Sequence, residues 1–158
     1  MLWGLAIVVI AVALAFAALG WWSRRAPDRA PGLVEDRLVP CGTAPNCVCS
    51  EASQADDPTH HVAPLALPPG DADARWAAVR DTVAAAGGAI VTSDDDYLHA
   101  TFRTRVFGFV DDVELRRDGD ALHWRSASRV GHSDLGANRR RLEMLRGRIK
   151  AAIAGRGS

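Results

Sequence analysis

The sequence predicts an α+β protein in which an N-terminal transmembrane helix is followed by one small domain. Apolar residues fill the first 22 positions, and beyond residue 60 they recur at helical spacing, then at every second position, then at helical spacing again. This order is typical of an antiparallel sheet of about four strands, plus an N-terminal edge strand, covered on one face by two helices. We therefore expect a transmembrane helix over 1–22, a Pro-rich tether and cysteine-containing loop over 23–59, and the α+β domain over 60–155.

Length and charge limit the function classes. The chain has 158 residues, which is enough for one domain beside a membrane span. Lys plus Arg number 19 and Asp plus Glu number 19, so the formal net charge is zero. A balanced charge gives no reason to expect nucleic-acid binding, and nothing in the sequence predicts an oligomeric state.

The segment from Leu2 to Trp22 contains no charged residue. As a helix, 21 residues span the roughly 30 Å hydrocarbon layer of a bilayer. Trp3 at one end and Trp21 and Trp22 at the other suit the two interfaces. A cleaved signal peptide is the alternative, but it usually carries a basic region before a shorter apolar run.

The arginines that follow the span bear on orientation. Arg24, Arg25, Arg29 and Arg37 come after it, and no Lys or Arg comes before it. The positive-inside rule then favours a single-pass protein of the cell membrane with its domain in the cytoplasm.

All three cysteines lie in the segment Cys41-Gly-Thr-Ala-Pro-Asn-Cys47-Val-Cys49. A turn at the Pro-Asn pair brings Cys41 and Cys47 within disulfide range, and such a bond requires an oxidising compartment. Zinc binding with a histidine as fourth ligand is a second interpretation, although the usual paired CxxC spacing is missing. Reduced thiols in a loop are the third.

The domain elements follow from apolar spacing. His61 to Leu67 is a short extended segment, and two prolines favour a sheet edge for it. A helix capped by Asp71 or Asp73 runs to Ala86, before Gly87-Gly88. The four predicted strands are Ala89–Ser93, Tyr97–Phe109, Val110–Arg117 and Ala121–Val130, and the last predicted helix is Asp134–Ala154.

A two-residue turn at Asp118-Gly119 predicts the hairpin register. In that register Asp112 faces Arg125 and Glu114 faces His123, on the polar side of the sheet. A solvated face with cross-strand ion pairs is the simpler interpretation of this pattern.

The junction between the last strand and the last helix combines features of an anion site. Its arginines offer planar forks for carboxylate or phosphate, and the start of the helix offers unpaired N–H groups. Asn138 lies on the apolar stripe of the helix, so it needs partners such as Ser126 or Ser128. The candidate ligand-binding residues are Arg125, Ser126, Ser128, Arg129, Ser133, Asp134, Asn138 and Arg139, with Asp112 and Glu114 as supporting acidic residues.

The same junction, Arg125-Ser-Ala-Ser-Arg-Val-Gly-His-Ser-Asp-Leu-Gly-Ala-Asn-Arg139, resembles a bacterial and chloroplast family known as domain of unknown function 1499. The segments Cys41 to Val48, His61 to Leu65 and Asp111 to Glu114 extend the resemblance, which covers roughly Pro40 to Ile149. Members usually have Ser where this chain has Cys49, and often an aromatic residue where His61 and His132 stand. The family has no established activity, so the resemblance implies boundaries and a motif without a mechanism.

From these residues we expect a membrane-anchored, non-catalytic module that binds an anionic or polar small ligand, or a lipid headgroup. One alternative is a hydrolase or transferase with Asp112 or Glu114 as general base and with Arg125 and Arg129 stabilising negative charge. Another is a structural subunit of a membrane complex. No nucleotide-binding loop, nucleophile elbow or metal-binding motif stands out, so no cofactor or metal is expected, and the expected partners are membrane lipid and an anionic small molecule.

Overall fold

A computed structural model describes residues 2–155 of the chain. The first helix, α1, covers Leu2–Ser23 and its side chains are almost all exposed over an apolar surface. It is long and apolar enough to cross a membrane. The same features are typical of a signal sequence, so the helix establishes a candidate span and no more.

Residues 24–38, which we call the strap, lie across one face of the domain. The strap ends in a small hairpin of β1 (Leu33–Val34) and β2 (Arg37–Leu38). The residues between these strands, Glu35 and Asp36, have positive φ values of 51° and 57°. The segment 23–59, expected as tether and loop, therefore carries three short strands and one turn of 3-10 helix at Ala52–Gln54, and the third strand belongs to the main sheet.

The main sheet is antiparallel and has six strands, so the α+β class is confirmed with more strands than expected. Five strands run in the order β3-β8-β7-β6-β5, and β4 pairs with β8 beside β3. The strands are β3 (Cys47–Cys49), β4 (Leu65–Ala66), β5 (Ala89–Ser93), β6 (Tyr97–Arg103), β7 (Val110–Asp118) and β8 (Ala121–Ser128).

The predicted hairpin register is wrong by two residues. The turn is formed by Gly119 and Asp120, since Asp118 pairs with Ala121 and Gly119 has a φ of 56°. Glu114 consequently faces Arg125, where the sequence predicted Asp112 in that place. A shift of two keeps every side chain on its expected face, because the side-chain period of a strand is two.

Two helices cover one face of the sheet, as predicted. Asp71 caps α2 (Ala72–Ala85) by accepting from the N–H groups of Asp73 and Ala74. The last helix, α3 (Ala137–Ala154), begins three residues later than expected, behind Gly136. Between helices and sheet lies the apolar core, whose largest fully buried side chains include Trp124, Leu98, Leu115, Leu122, Leu142, Leu145 and Ile149.

Candidate functional site

The candidate ligand-binding residues lie on both faces of β8. Arg125 lies under the strap together with Arg129, which follows the strand, whereas Ser126 and Ser128 meet α3 on the helix face. Alternation along an extended strand requires this separation, because adjacent side chains point to opposite faces. Arg125 and Ser126 therefore lie on opposite sides of the sheet. At the end of the strand, however, Ser128 lines a pocket that also contains Arg125.

Under the strap, Asp112 is the most heavily bonded carboxylate. It is fully buried and accepts hydrogen bonds from His99 Nε2 at 2.8 Å and from Arg129 Nε and Nη2 at 2.9 and 2.8 Å. The backbone N–H of Arg29 on the strap donates to it at 2.7 Å. Burial alone would raise the pKa of Asp112, but these donors outweigh it and lower the pKa to about 2.

Glu114, also fully buried, repeats the arrangement two residues along β7. It accepts from Arg125 Nη1 at 2.9 Å, from the Tyr97 hydroxyl at 2.8 Å and from the strap N–H of Gly32 at 3.1 Å. Here burial outweighs the opposing Arg125 charge and raises the pKa of Glu114. The same burial, together with the Glu114 charge, raises the pKa of Tyr97.

A third pair, Glu51 and Arg116, was not among the sequence candidates. Arg116 Nε donates to the buried Glu51 carboxylate at 3.1 Å, and the strap N–H of Leu38 donates to the same oxygen at 3.1 Å. We call these three pairs the ion-pair layer. The alternation of charged residues along β7 indicates this layer in the sequence. The simpler interpretation of that alternation, a solvated face, is wrong, since Asp112 and Glu114 are fully buried.

The strap is therefore fixed to the sheet along its length. Three of its N–H groups, at positions 29, 32 and 38, end on the three buried carboxylates. In return Arg125 donates to the carbonyl of Arg29, and Arg129 Nη1 donates to that of Ala26 at 3.3 Å. These contacts hold the domain against the end of α1.

On the opposite face Asn138 is fully buried and uses both ends of its amide. Its Oδ1 accepts from Ser126 Oγ at 2.5 Å and from Arg141 Nη1 at 2.6 Å. Its Nδ2 donates to the carbonyl of Asn46 at 2.9 Å and to Ser128 Oγ at 3.0 Å. Asn138 thus faces inward and bonds to both expected serines, and its bond to Asn46 also joins the cysteine loop to the sheet and the helix.

The remaining candidates also contact the protein itself. Arg139 donates to the carbonyls of His61, Pro58 and Thr59 at 2.8, 3.1 and 3.1 Å. Asp134 accepts from the N–H groups of Gly136 and Asn138 at 2.9 and 2.7 Å, and Ser133 Oγ accepts from Leu135 N–H at 3.2 Å.

A crevice of about 270 Å³ opens where α1 meets the domain. Phe16 and Leu19 of α1 form one wall, and the opposite wall is formed by the start of β7, the end of β8 and the loop before α3. The crevice lining is Phe16, Leu19, Thr104, Phe109, Asp111, Ser128, Val130, Gly131, Ser133, Asp134, Leu135 and Ala137. Three candidate residues, Ser128, Ser133 and Asp134, thus meet here.

Close packing fixes the wall that α1 contributes. The ring of Phe16 lies 5.1 Å from that of Phe107 between centroids. A Cβ at Gly20 would lie 1.8 Å from the Phe107 carbonyl oxygen, so only glycine allows this approach. The buried Ser23 hydroxyl accepts from Val110 N–H at 2.9 Å, and Arg24 donates to the Phe107 carbonyl at 3.4 Å.

In the cysteine loop, Cys41 and Cys47 form a disulfide, and Cys49 is a buried free thiol. Burial raises the pKa of the Cys49 thiol. His60 bonds to Asp57 at 2.6 Å and to the carbonyl of Ala44 at 3.1 Å, so its ring is occupied. Within residues 2–155 no group of three or more His, Cys, Asp or Glu residues is arranged to hold a metal ion.

Comparison with known proteins gives one result. The family model described as "Protein of unknown function (DUF1499)" matches residues 37–149. The chain belongs to the DUF1499 family. No curated protein is significantly similar to it in sequence.

The matched range places the family's features within this structure. The DUF1499 region begins at Arg37 in the strap and ends at Ile149 in α3, so it contains all three pairs of the ion-pair layer. Helix α1 and the strap residues that contact Asp112 and Glu114 precede it. The crevice is thus built from the DUF1499 domain and from a helix outside the matched range.

Proposed function

We propose that this DUF1499 protein is a membrane-anchored, non-catalytic module that binds a membrane lipid in the crevice between α1 and the domain. The observation that carries the proposal is the composition of the crevice, because one wall belongs to the apolar helix. Ligand pockets usually measure about 300–1,000 Å³, and this one is slightly smaller. It therefore suits a polar headgroup with a short part of its chains.

The depth of the crevice supports a lipid. Trp22 marks the interface end of α1, and Phe16 lies six residues, or about 9 Å, deeper along the helix. Since Phe16 packs on Phe107, the loop that carries Phe107 lies at the same depth. In this loop Val106 is 83% exposed, and across the crevice Leu135 is 84% exposed. A bilayer would cover both side chains.

The polar end of the crevice indicates the type of headgroup. Thr104, Ser128 and Ser133 supply hydroxyls, and the carboxylates are Asp111, which pairs with Arg141, and Asp134. None of the lining residues is Arg or Lys. Hydroxyl or amine groups are therefore better matched to this end than an anionic group.

We also propose that α1 is retained and that the domain lies on the oxidising side of the cell membrane. Retention follows from the packing of Gly20 and Ser23 against the domain, which cleavage of a signal peptide would remove. The Cys41–Cys47 disulfide persists in an oxidising compartment and is reduced in the cytoplasm. We weigh this bond above the positive-inside bias, since Arg25 is also explained by its stacking on Trp21. Protease added to intact spheroplasts should digest the domain, and protection would overturn this placement.

The lipid proposal is tested by native mass spectrometry of the full chain released from nanodiscs. We expect wild type to retain one lipid through detergent exchange. Val130→Phe, which fills the crevice, should lose the lipid, whereas Val91→Phe, the same change on exposed β5, should retain it. Thermal denaturation of both variants confirms folding. If wild type retains no lipid, or if both variants retain lipid equally, the proposal is wrong.

The hydrolase or transferase alternative gains no support from the ion-pair layer. Asp112 and Glu114 are fully buried beneath the strap, and each is bonded to an arginine and a strap N–H. A carboxylate with a pKa of about 2, as in Asp112, is also a poor proton acceptor near neutral pH.

A further inference from the structure

A second pocket of about 290 Å³ lies beside the disulfide, between the strap and the end of β8. It differs from the crevice in charge, because its lining contains two arginines and no acidic residue. The lining residues are Arg29, Gly42, Thr43, Ala44, Asn46, Cys47, Arg125, Ala127 and Ser128.

Arg29 supplies an available guanidinium. Its backbone is fixed on both sides, because its N–H donates to Asp112 and its carbonyl accepts from Arg125. Its side chain is exposed and forms no hydrogen bond or ion pair with the residues that the structure describes. The positive charge is therefore held at the pocket by a rigid backbone while it remains free to bind.

Arg125 supplies a buried donor without an acceptor. Its side chain is 9% exposed, and Nη1 bonds to Glu114 and to the strap carbonyl. Its Nε is buried and has no hydrogen-bond partner within residues 2–155. A buried N–H without an acceptor is unfavourable, so an acceptor in this pocket would be stabilising.

Hydroxyl groups complete the donor set. Ser128 Oγ accepts from Asn138 Nδ2, which leaves its own hydrogen free to donate. Thr43 adds a second hydroxyl to the lining. Guanidinium and hydroxyl donors around a space without carboxylates are the groups that bind oxyanions.

We propose that this pocket binds a small oxyanion of the phosphate class, held by Arg29, Arg125 and Ser128. Cys47 lines the same pocket, and its bond to Cys41 fixes the loop that forms one wall. Reduction of the disulfide should therefore weaken anion binding. The site is a separate pocket from the lipid crevice, and Ser128 lines both.

Calorimetric titration of the full chain in a neutral detergent with inorganic phosphate, at ionic strength held constant with chloride, tests the site. We expect saturable binding that Arg29→Gln weakens about tenfold, the loss typical of one charge-assisted hydrogen bond. Arg80→Gln is the matched control, since Arg80 is exposed on α2 and outside the pocket. Both changes are on the surface and should leave the circular dichroism spectrum unchanged.

Two further arms complete the experiment. Reduction should lower the phosphate affinity of wild type but not that of Cys41→Ser/Cys47→Ser. The third arm compares nanodiscs of phosphatidylglycerol with nanodiscs of phosphatidylcholine. If an anionic lipid is the natural source of the phosphate group, the phosphatidylglycerol nanodiscs should compete with inorganic phosphate. If a soluble anion is the natural ligand, the affinity for inorganic phosphate should be the same in both. Absence of saturable phosphate binding, or equal affinity in Arg29→Gln and Arg80→Gln, would overturn the proposal.

Discussion

Replacing Asp112 with asparagine should lower the free energy of unfolding of the domain by a large fraction. The carboxylate accepts four hydrogen bonds, two from Arg129, one from His99 and one from the strap N–H of Arg29. A pKa of about 2 against the ordinary 3.8 corresponds to about 2 kcal/mol of stabilisation of the charged form. Removal of one partner from a buried ion pair costs more, about 3–5 kcal/mol, since the other charge stays buried. Domains have only about 5–15 kcal/mol in total.

The assay is urea unfolding of the full chain in mild detergent, followed by tryptophan fluorescence, since Trp124 is fully buried. The matched control is Asp96→Asn. Asp96 also pairs with an arginine, Arg117, at 2.7 Å, but it is 63% exposed. Such a surface pair contributes about 0–1 kcal/mol. If the unfolding free energies of the two variants differ by less than about 1 kcal/mol, Asp112 does not stabilise the fold more than a surface ion pair does.

Three further outcomes are expected. The stabilisation linked to Asp112 is present above pH 3.8 and is lost as pH falls through its folded pKa of about 2. The unfolding free energy of wild type should therefore fall steeply between about pH 4 and 2, and Asp112→Asn should lack this step. Reduction of the Cys41–Cys47 bond, which closes a loop with a sequence separation of 6, should lower the unfolding free energy by about 2 kcal/mol, measured by urea titration with and without reductant. Gly20→Leu should separate α1 from the domain and speed tryptic cleavage after the span, whereas Gly4→Leu on the same helix, where a Cβ meets nothing within 4 Å, should not.

Local patterns were sufficient to predict the helices and the sorting of the sheet faces. The predicted apolar stripe of the last helix consists of Leu135, Leu142, Leu145, Ile149 and Ile153, and the last four are buried. Leu135 is 84% exposed, because the helix begins only at Ala137. The Asp71 cap and the start of α2 likewise depend only on neighbours in sequence. Period two placed Asp112 and Glu114 on the polar face even though the hairpin register was wrong.

Strand β3 could not be predicted in the same way. It has three residues, Cys47 to Cys49, and all three pair with β8, nearly 80 positions along the chain. A segment this short has no period of its own, so pairing with a distant strand decides its structure.

The predicted site residues lie on two faces of the sheet for a related reason. Grouping Arg125 with Ser126 followed their nearness in sequence, although strand alternation places them on opposite faces. Neither the crevice nor the phosphate-class pocket is contiguous in sequence, since each joins segments about 80 residues or more apart.

The sequence alone determined the apolar first helix, the α+β class and the two faces of β7 and β8, because these depend on side-chain chemistry repeated at short intervals. Only the tertiary structure decided that the polar face of the sheet is buried. The strap covers it through backbone N–H groups at positions 29, 32 and 38, and a backbone N–H is the same whatever side chain its residue carries. The side-chain pattern of the sequence therefore could not predict that these backbone donors bind buried carboxylates.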